Sequence, residues 1–279
     1  MPEGPEVKTV TTKLNQALQG QFLVEVDFLC QKFASVASEF QQRIRPYLPG
    51  KIIEVTCKGK YIYFKLCLQN DTIIYFHSHL RMTGKWLWTK DDHSRLSLYF
   101  GLATTQVNII TNEVYFSDYR MLGVFEILSE TEQKQHQDKI GSDILTEKLD
   151  YPQWLATLDR SGKRTINICR ALMDQDRFAG VGNYLKAEML YAAKIHPDHS
   201  IKELNQQQLY DLYEAFYRIP QESLASGGLT ISDYWDPDGK VGTFQKVVYN
   251  QSHDPLGYPV VTKKTKDGRT THYVEEIQY

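Results

Sequence analysis

Cysteine is scarce in this chain of 279 residues: there are four, at Cys30, Cys57, Cys67 and Cys169. They show neither a CxxC spacing nor a paired framework, so a disulfide scaffold is excluded. Reduced structural thiols of an intracellular protein, in cytoplasm, nucleoid or nucleus, are the expectation. Long apolar runs are also missing. None approaches the ~20 residues needed to cross a bilayer, and the N-terminus lacks the apolar core of a signal peptide. No membrane role is expected. An excess of positive charge is absent too: 32 Lys and Arg stand against 34 Asp and Glu, a net charge of −2. Nucleic-acid-binding domains are usually basic, so the balance speaks against such a partner. A basic cleft can nevertheless coexist with acidic outer faces.

What is present is an ordinary globular composition and a length that suggests two domains with sizeable cores. The most informative stretch is the start, Met1-Pro-Glu-Gly-Pro-Glu6. An initiator Met before Pro is normally trimmed. Trimming leaves Pro2 with a free secondary amine and Glu3 beside it. An α-amino group titrates near ~8, against about 10.4 for a Lys side chain, so a useful fraction is neutral. A neutral amine is a nucleophile that forms Schiff bases with carbonyl carbons. The plainer reading is that Pro2 and Pro5 start a helix.

Val7, Val10, Leu14, Ala17 and Leu18 recur at helical spacing, and Gly20 can end that helix. Pro2, Glu3 and Glu6 are then expected in its first turn, with Glu3 and Glu6 on one face. From Phe22 to about Leu128 the pattern turns to short strands. They are Lys60–Leu66, Thr72–Phe76, Arg95–Phe100, Gln106–Ile110 and Glu113–Phe116. This density predicts an antiparallel sandwich or barrel. Gln133 to Lys139 is polar and reads as a connector. Helical patterns run from Tyr151 to Ser226, including Asn205–Tyr217. A Gly-, Asp- and Pro-rich loop runs from Gly227 to Gly242. Lys246–Tyr249 and Arg269–Val274 read as two short strands. The fold class is α+β and multidomain. Segments 1–132, 133–150 (linker), 151–226, 227–245 and 246–279 divide it.

Five ordered motifs, running nearly end to end, resemble the family of formamidopyrimidine-DNA glycosylase and endonuclease VIII. They are Met1-Pro-Glu-Gly-Pro-Glu-Val7, Lys58-Gly-Lys60-Tyr-Ile-Tyr-Phe64, His79-Leu-Arg-Met-Thr-Gly84, Ser117-Asp-Tyr-Arg-Met-Leu-Gly123 and Met173-Asp-Gln-Asp-Arg-Phe-Ala-Gly-Val-Gly-Asn183-Tyr-Leu-Lys-Ala-Glu188. The resemblance implies a helix plus β-sandwich catalytic domain, then a helical domain with a helix–two-turns–helix.

It also implies roles. Pro2 would attack C1′ of a damaged nucleotide, Glu3 would shuttle protons, and Glu6 would support them. Lys60 would contact a phosphate and assist catalysis; the alternative is a solvated strand lysine. Met82 would fill the gap left by an extruded base, the alternative being a core Met on a strand. Arg120 would pair with the orphaned base. The family usually has Phe where Leu122 stands; Leu can still wedge between bases, but stacks less well. Asn183 would cap the helix after the two turns, whose amides would face a phosphate. Ile140–Leu145 would pack beneath. Glu188 would support the active site or form a core salt bridge.

Most members of the family end in a four-cysteine zinc finger. Here the tail holds only His253 and His272, too few for a structural zinc site. Neither metal nor cofactor is expected. The skeleton Val248-Tyr249, Asp254-Pro-Leu-Gly257 and Gly268–Tyr273 resembles a zincless finger, with Arg269 gripping phosphates. The resemblance thus implies a bifunctional DNA glycosylase and abasic-site lyase with β,δ-elimination. Its partner would be damaged double-stranded DNA, with single strands kept open, and it would act as a monomer. Oxidised pyrimidines and ring-opened purines are favoured. The loop Gly227–Gly239 instead resembles the branch that excises oxidised purines such as 8-oxoguanine. A non-catalytic DNA-binding relative is the rival reading.

Overall fold

The computed structural model describes residues 2–103, 108–230 and 234–279. The chain divides into two compact units.

The first unit contains Pro2, Glu6–Asp138 and Thr230–Gly242. Helix α1 (Gly4–Leu18) turns Val7, Val10, Leu14 and Leu18 into the core, as the spacing predicts, and Gly20 lies just beyond it at φ 83°. Next come strands β1 (Phe22–Phe28), β2 (Gly50–Lys58), β3 (Tyr61–Cys67), β4 (Ile73–His79), β5 (Lys85–Leu87), β6 (Ser94–Ala103), β7 (Asn108–Ser117) and β8 (Val124–Ser129). Helix α2 (Ala34–Arg43) lies between β1 and β2. Among the described residues the strands form one antiparallel sheet in the order β5-β7-β6-β1-β2-β3-β4-β8. Its two edge strands meet: the rings of Trp86 on β5 and Phe125 on β8 are 6.3 Å apart. The sheet therefore curls over a shared aromatic core that includes Phe64, Phe76, Phe100 and Phe116. This is the expected sandwich.

Two expectations change. Asn108–Ile110 and Glu113–Phe116, read as parts of two strands, belong to a single strand, β7; Gln106 and Val107 lie outside the described residues. The register shifts between Phe100 and Gly101. A Cβ on Gly101 would lie 1.9 Å from the Ile109 carbonyl oxygen, so this bulge needs glycine. The supposed connector at Gln133 is helical: α3 spans Glu130–Asp138. Glu132 accepts the Ser129 N–H at 2.8 Å and starts it.

The second unit contains Glu3–Pro5, Lys139–Leu229 and Thr243–Tyr279. Strand β9 (Ser142–Asp143) pairs with β10 (Phe178–Ala179), beneath the two turns as the Ile140–Leu145 motif implies. The unit also holds helices α4 (Tyr151–Leu158), α5 (Ile168–Met173), α6 (Asn183–Ala192) and α7 (Gln206–Ala225), and the rings of Trp154 on α4, Phe178 on β10 and Phe216 on α7 pack together. Asn205 caps α7 in a reciprocal box with Gln208. Strands β11 (Val261–Lys264) and β12 (Thr270–Tyr273) form a hairpin. Its first strand is not Lys246–Tyr249, as read from the sequence, but Val261–Lys264. The N–H groups of Val247, Val248 and Tyr249 are given to the Glu188 carboxylate at 2.8, 3.0 and 2.8 Å. Those donors are thus withdrawn from any ladder.

Candidate functional site

In the second unit α6 organises the site. Glu3 lies just ahead of α1 rather than inside its first turn. The Gly4 N–H is donated to the Gly180 carbonyl at 2.9 Å. The Glu3 carboxylate, 2% exposed, accepts the N–H groups of Tyr184 (2.9 Å) and Leu185 (3.2 Å). These are first-turn amides of α6, which lack an intrahelical acceptor and sit at the positive end of the helix dipole. The family resemblance implies that this amide cluster faces a phosphate; two of its members hold Glu3 instead. Asn183 is not the cap either. Gly182 occupies the cap position, without a side-chain bond. A Cβ there would lie 2.1 Å from Glu3 Cδ, so glycine is what admits the carboxylate.

Asn183 turns its Nδ2 to the Thr270 carbonyl on β12 at 2.8 Å. One turn further along α6, the Lys186 ammonium donates to Asp267 at 2.6 Å, with side chains 0% and 4% exposed. Burial alone would raise the Asp267 carboxyl, but bonds from Lys186 and Thr265 and the lysine's charge hold it below its ordinary value. Thr265 also bonds the Arg269 carbonyl at 3.0 Å and the Thr271 hydroxyl at 3.2 Å. This network shapes the tip of the hairpin, and Arg269 stands exposed on it. The residues there do not fit a structural zinc ion. Among the described residues no group of three or more His, Cys, Asp or Glu could hold a metal. Glu188 makes no core salt bridge in the described contacts. Burial raises its carboxyl while the three amides at Val247–Tyr249 oppose that shift.

In the first unit Pro2 is buried and Met1 lies outside the described residues. Glu6 is fully buried, and the Tyr234 phenol reaches its carbonyl at 3.4 Å. Desolvation and the Glu6 charge push that phenol far above its ordinary range. Lys60, 6% exposed, occupies the two-residue turn between β2 and β3, where Gly59 supplies φ 57°. It is not a solvated strand lysine. Met82 is half-buried in the turn after β4, not on a strand. Arg120 and Leu122 are exposed in the turn after β7.

Several positioning groups receive no role from the sequence, even where they stand inside a motif. His79 is one: its Nδ1 accepts the Arg81 N–H at 2.9 Å. Burial, then the charges of Arg81 and Lys60, lower its pKa to about 3. A second group holds the tip of the 230–242 segment. Lys13 bonds Asp236 at 2.5 Å and Asp238 at 2.6 Å. Trp88 Nε1 donates to Asp238 at 2.9 Å. The Lys85 ammonium lies 4.5 Å from the Trp235 ring centre. Ile231, Ser232 and Asp233 of the predicted loop lie outside the described residues.

Comparison with known proteins gives this arrangement a class. Residues 1–125 match the formamidopyrimidine-DNA glycosylase N-terminal domain, and residues 140–234 match the H2TH domain of the same enzymes. Curated relatives named formamidopyrimidine-DNA glycosylase include those of Exiguobacterium sp. and Streptococcus mutans. Each is 31% identical and is matched over 100% of this chain and 99% of its own. The Lactococcus lactis Fpg in complex with abasic-site DNA superposes with a TM-score of 0.82 at 26% identity, over 99% of both chains. An inhibited form of the same enzyme, complexed with DNA containing N7-benzyl-Fapy-dG, gives the same values. No helix among the described residues is long and apolar enough to cross a membrane.

The chain therefore belongs to the formamidopyrimidine-DNA glycosylase family. It is a DNA glycosylase with abasic-site lyase activity, an enzyme of the base excision repair of damaged bases.

Proposed function

We propose that this enzyme, once Met1 is removed, displaces a damaged base with the secondary amine of Pro2 and carries the deoxyribose as a Schiff base. The observation that carries this reading is the Glu3 carboxylate. It adjoins Pro2 directly, is almost fully buried, and is fixed by two backbone amides. A fixed carboxylate beside an amine is placed to relay protons as the sugar ring opens. The amine attacks C1′ and the base departs with a proton. Loss of a C2′ proton then expels the 3′ phosphate, a second elimination expels the 5′ phosphate, and water frees the enzyme. Glu6 supports the amine and Lys60 meets the phosphate beside the lesion. Asn183 and Arg269 serve the DNA backbone, while Met82, Arg120 and Leu122 occupy the gap left by the extruded base.

The substrate is damaged duplex DNA inside the cell, and the segment boundaries read from the sequence mark its functional parts. Ring-opened purines and oxidised pyrimidines are the preferred lesions, with 8-oxoguanine poorer. The relatives' name and the Fapy-containing complex support the ring-opened purines. The cysteine-free tail, with the stretches Met1–Pro5 and Gly182–Glu188, supports the pyrimidines.

Borohydride added to enzyme and an abasic or thymine-glycol duplex should give a covalent adduct, and Pro2→Gly should weaken or abolish it. Binding without any adduct, from protein shown by mass spectrometry to begin at Pro2, would return the non-catalytic reading. A cleavage panel over lesions in single and double strands decides the preference.

A further inference from the structure

We propose that Asp118 is a positioning residue that locks the Met82 turn and the Arg120–Leu122 turn into one rigid element. The inference rests on the proposed role of these turns in filling the gap in the duplex, and deepens it.

The two turns are far apart in sequence, with Thr83 and Asp118 separated by 35 positions, yet they share one carboxylate. Asp118 is 1% exposed. Its Oδ1 accepts the Thr83 hydroxyl of the first turn and the Arg120 N–H of the second, the latter at 3.2 Å. Its Oδ2 accepts the Gly123 N–H at 2.6 Å. A carboxylate is the fitting group, because all three partners are donors and an ionised carboxylate only accepts.

The turns also share one ring. A Cβ on Gly84, which ends the first turn, would lie 2.9 Å from Phe116 Cζ. A Cβ on Gly123, which ends the second, would lie 2.4 Å from the same atom. Both backbones therefore rest against Phe116, which is fully buried. Arg95 and Lys32 complete the enclosure of the second turn. Arg95 Nε donates to the Asp118 carbonyl at 3.1 Å. Lys32 donates to the carbonyls of Met121, at 2.7 Å, and Gly123.

This enclosure explains a costly backbone. Arg81 and Met121 stand at φ 54° and 53°, a region that non-glycine residues occupy only when their surroundings impose it. Over the second turn Tyr119, Met121 and Leu122 are 48%, 49% and 41% exposed. Large apolar side chains held outward on an over-determined turn suit insertion between bases, where a loose wedge would lose the stacking it must replace. Asp118 touches no substrate in this reading; it acts through the turns.

The test compares one chemistry with and without a gap to fill. An abasic site in duplex DNA requires the gap to be filled. The same site in a single strand does not. Asp118→Asn should lose roughly 10²-fold in cleavage rate on the duplex, the scale expected of about 1 Å of misplacement. On the single strand it should stay within about two-fold of the parent, since the gap-filling term is absent there. Thr83→Val should show the same split more weakly, and Thr83→Ser, which keeps the hydroxyl, should restore the duplex rate. Equal losses on both substrates for Thr83→Val and Asp118→Asn would overturn the inference, as would no loss on either. Should Asp118→Asn fail to fold, the Val and Ser variants at Thr83 decide alone. The double variant Met82→Ala, Leu122→Ala separates the two claims. If it cuts duplex like the parent, the gap-filling reading falls, and this inference with it. If it loses duplex cleavage while Asp118→Asn and Thr83→Val do not, only the lock is wrong.

Discussion

The Glu3 carboxylate accepts the backbone N–H of Tyr184 at 2.9 Å, across 181 positions of sequence. The contact exists because Gly182 has no side chain; a Cβ would lie 2.1 Å from Glu3 Cδ. Gly182→Ala should therefore displace Glu3 and leave two first-turn amides of α6 unpaired. Single-turnover base excision is expected to fall by roughly 10²-fold. Binding to an abasic-site duplex should change far less, because Arg269 and Lys60, the proposed phosphate contacts, are untouched.

A second prediction concerns the pair that pins the hairpin. Lys186→Met leaves Asp267 buried without its cation, which costs about 3–5 kcal/mol when one partner of a buried pair is removed. The double replacement Lys186→Met, Asp267→Leu removes both charges and should recover most of that loss. Thermal unfolding of the three proteins checks this, and a further loss in the double variant would contradict it.

The pH dependence of stability comes in part from His79. Its pKa is depressed to about 3 from an ordinary 6.5, so between those values the unfolded chain binds a proton that the folded chain refuses. Stability is then lost as pH falls from 6.5 toward 3, with a slope of up to ~1.4 kcal/mol per pH unit from this group. His79→Asn keeps an acceptor for the Arg81 N–H but does not titrate. Denaturant unfolding from pH 7 to pH 4 should show a shallower decline for the variant.

Around the 230–242 segment, Lys13→Met should free the tip. Asp236 then loses its ammonium partner while still accepting the amides of Asp238 and Lys240 at 3.0 and 2.9 Å. Hydrogen exchange at Asp238, Gly239 and Lys240 is expected to quicken by about 10-fold or more. Unchanged exchange would mean that the Trp88 and Trp235 contacts suffice.

Helices α1 and α7 were legible because each buries one face at a regular period, and most strands of the curled sheet because they are short runs rich in β-branched and aromatic residues. Met82, Arg120 and Arg269 could be picked out because they stand inside recognisable motifs. The partners that hold them could not. Asp118 stands inside a motif, but its bond to Thr83 spans 35 positions, that of Asp267 to Lys186 spans 81, and that of Lys13 to Asp238, which holds the 230–242 segment, spans 225; single polar contacts at such separations leave no periodic signal. The misreading at Lys246–Tyr249 has the same origin. The β-branched Val247-Val248 pair looks strand-like, but Glu188 captures the amides, and nothing local announces a carboxylate from α6.

Helix α6 presents its amide end to Glu3, Asn183 to Thr270, Lys186 to Asp267 and Glu188 to the 247–249 turn. Each residue added to a helix rotates every later side chain by about 100°. A single insertion or deletion between Asn183 and Glu188 would therefore break several of these attachments at once, where a point substitution breaks one. The length of this stretch should be far less tolerant of change than its composition.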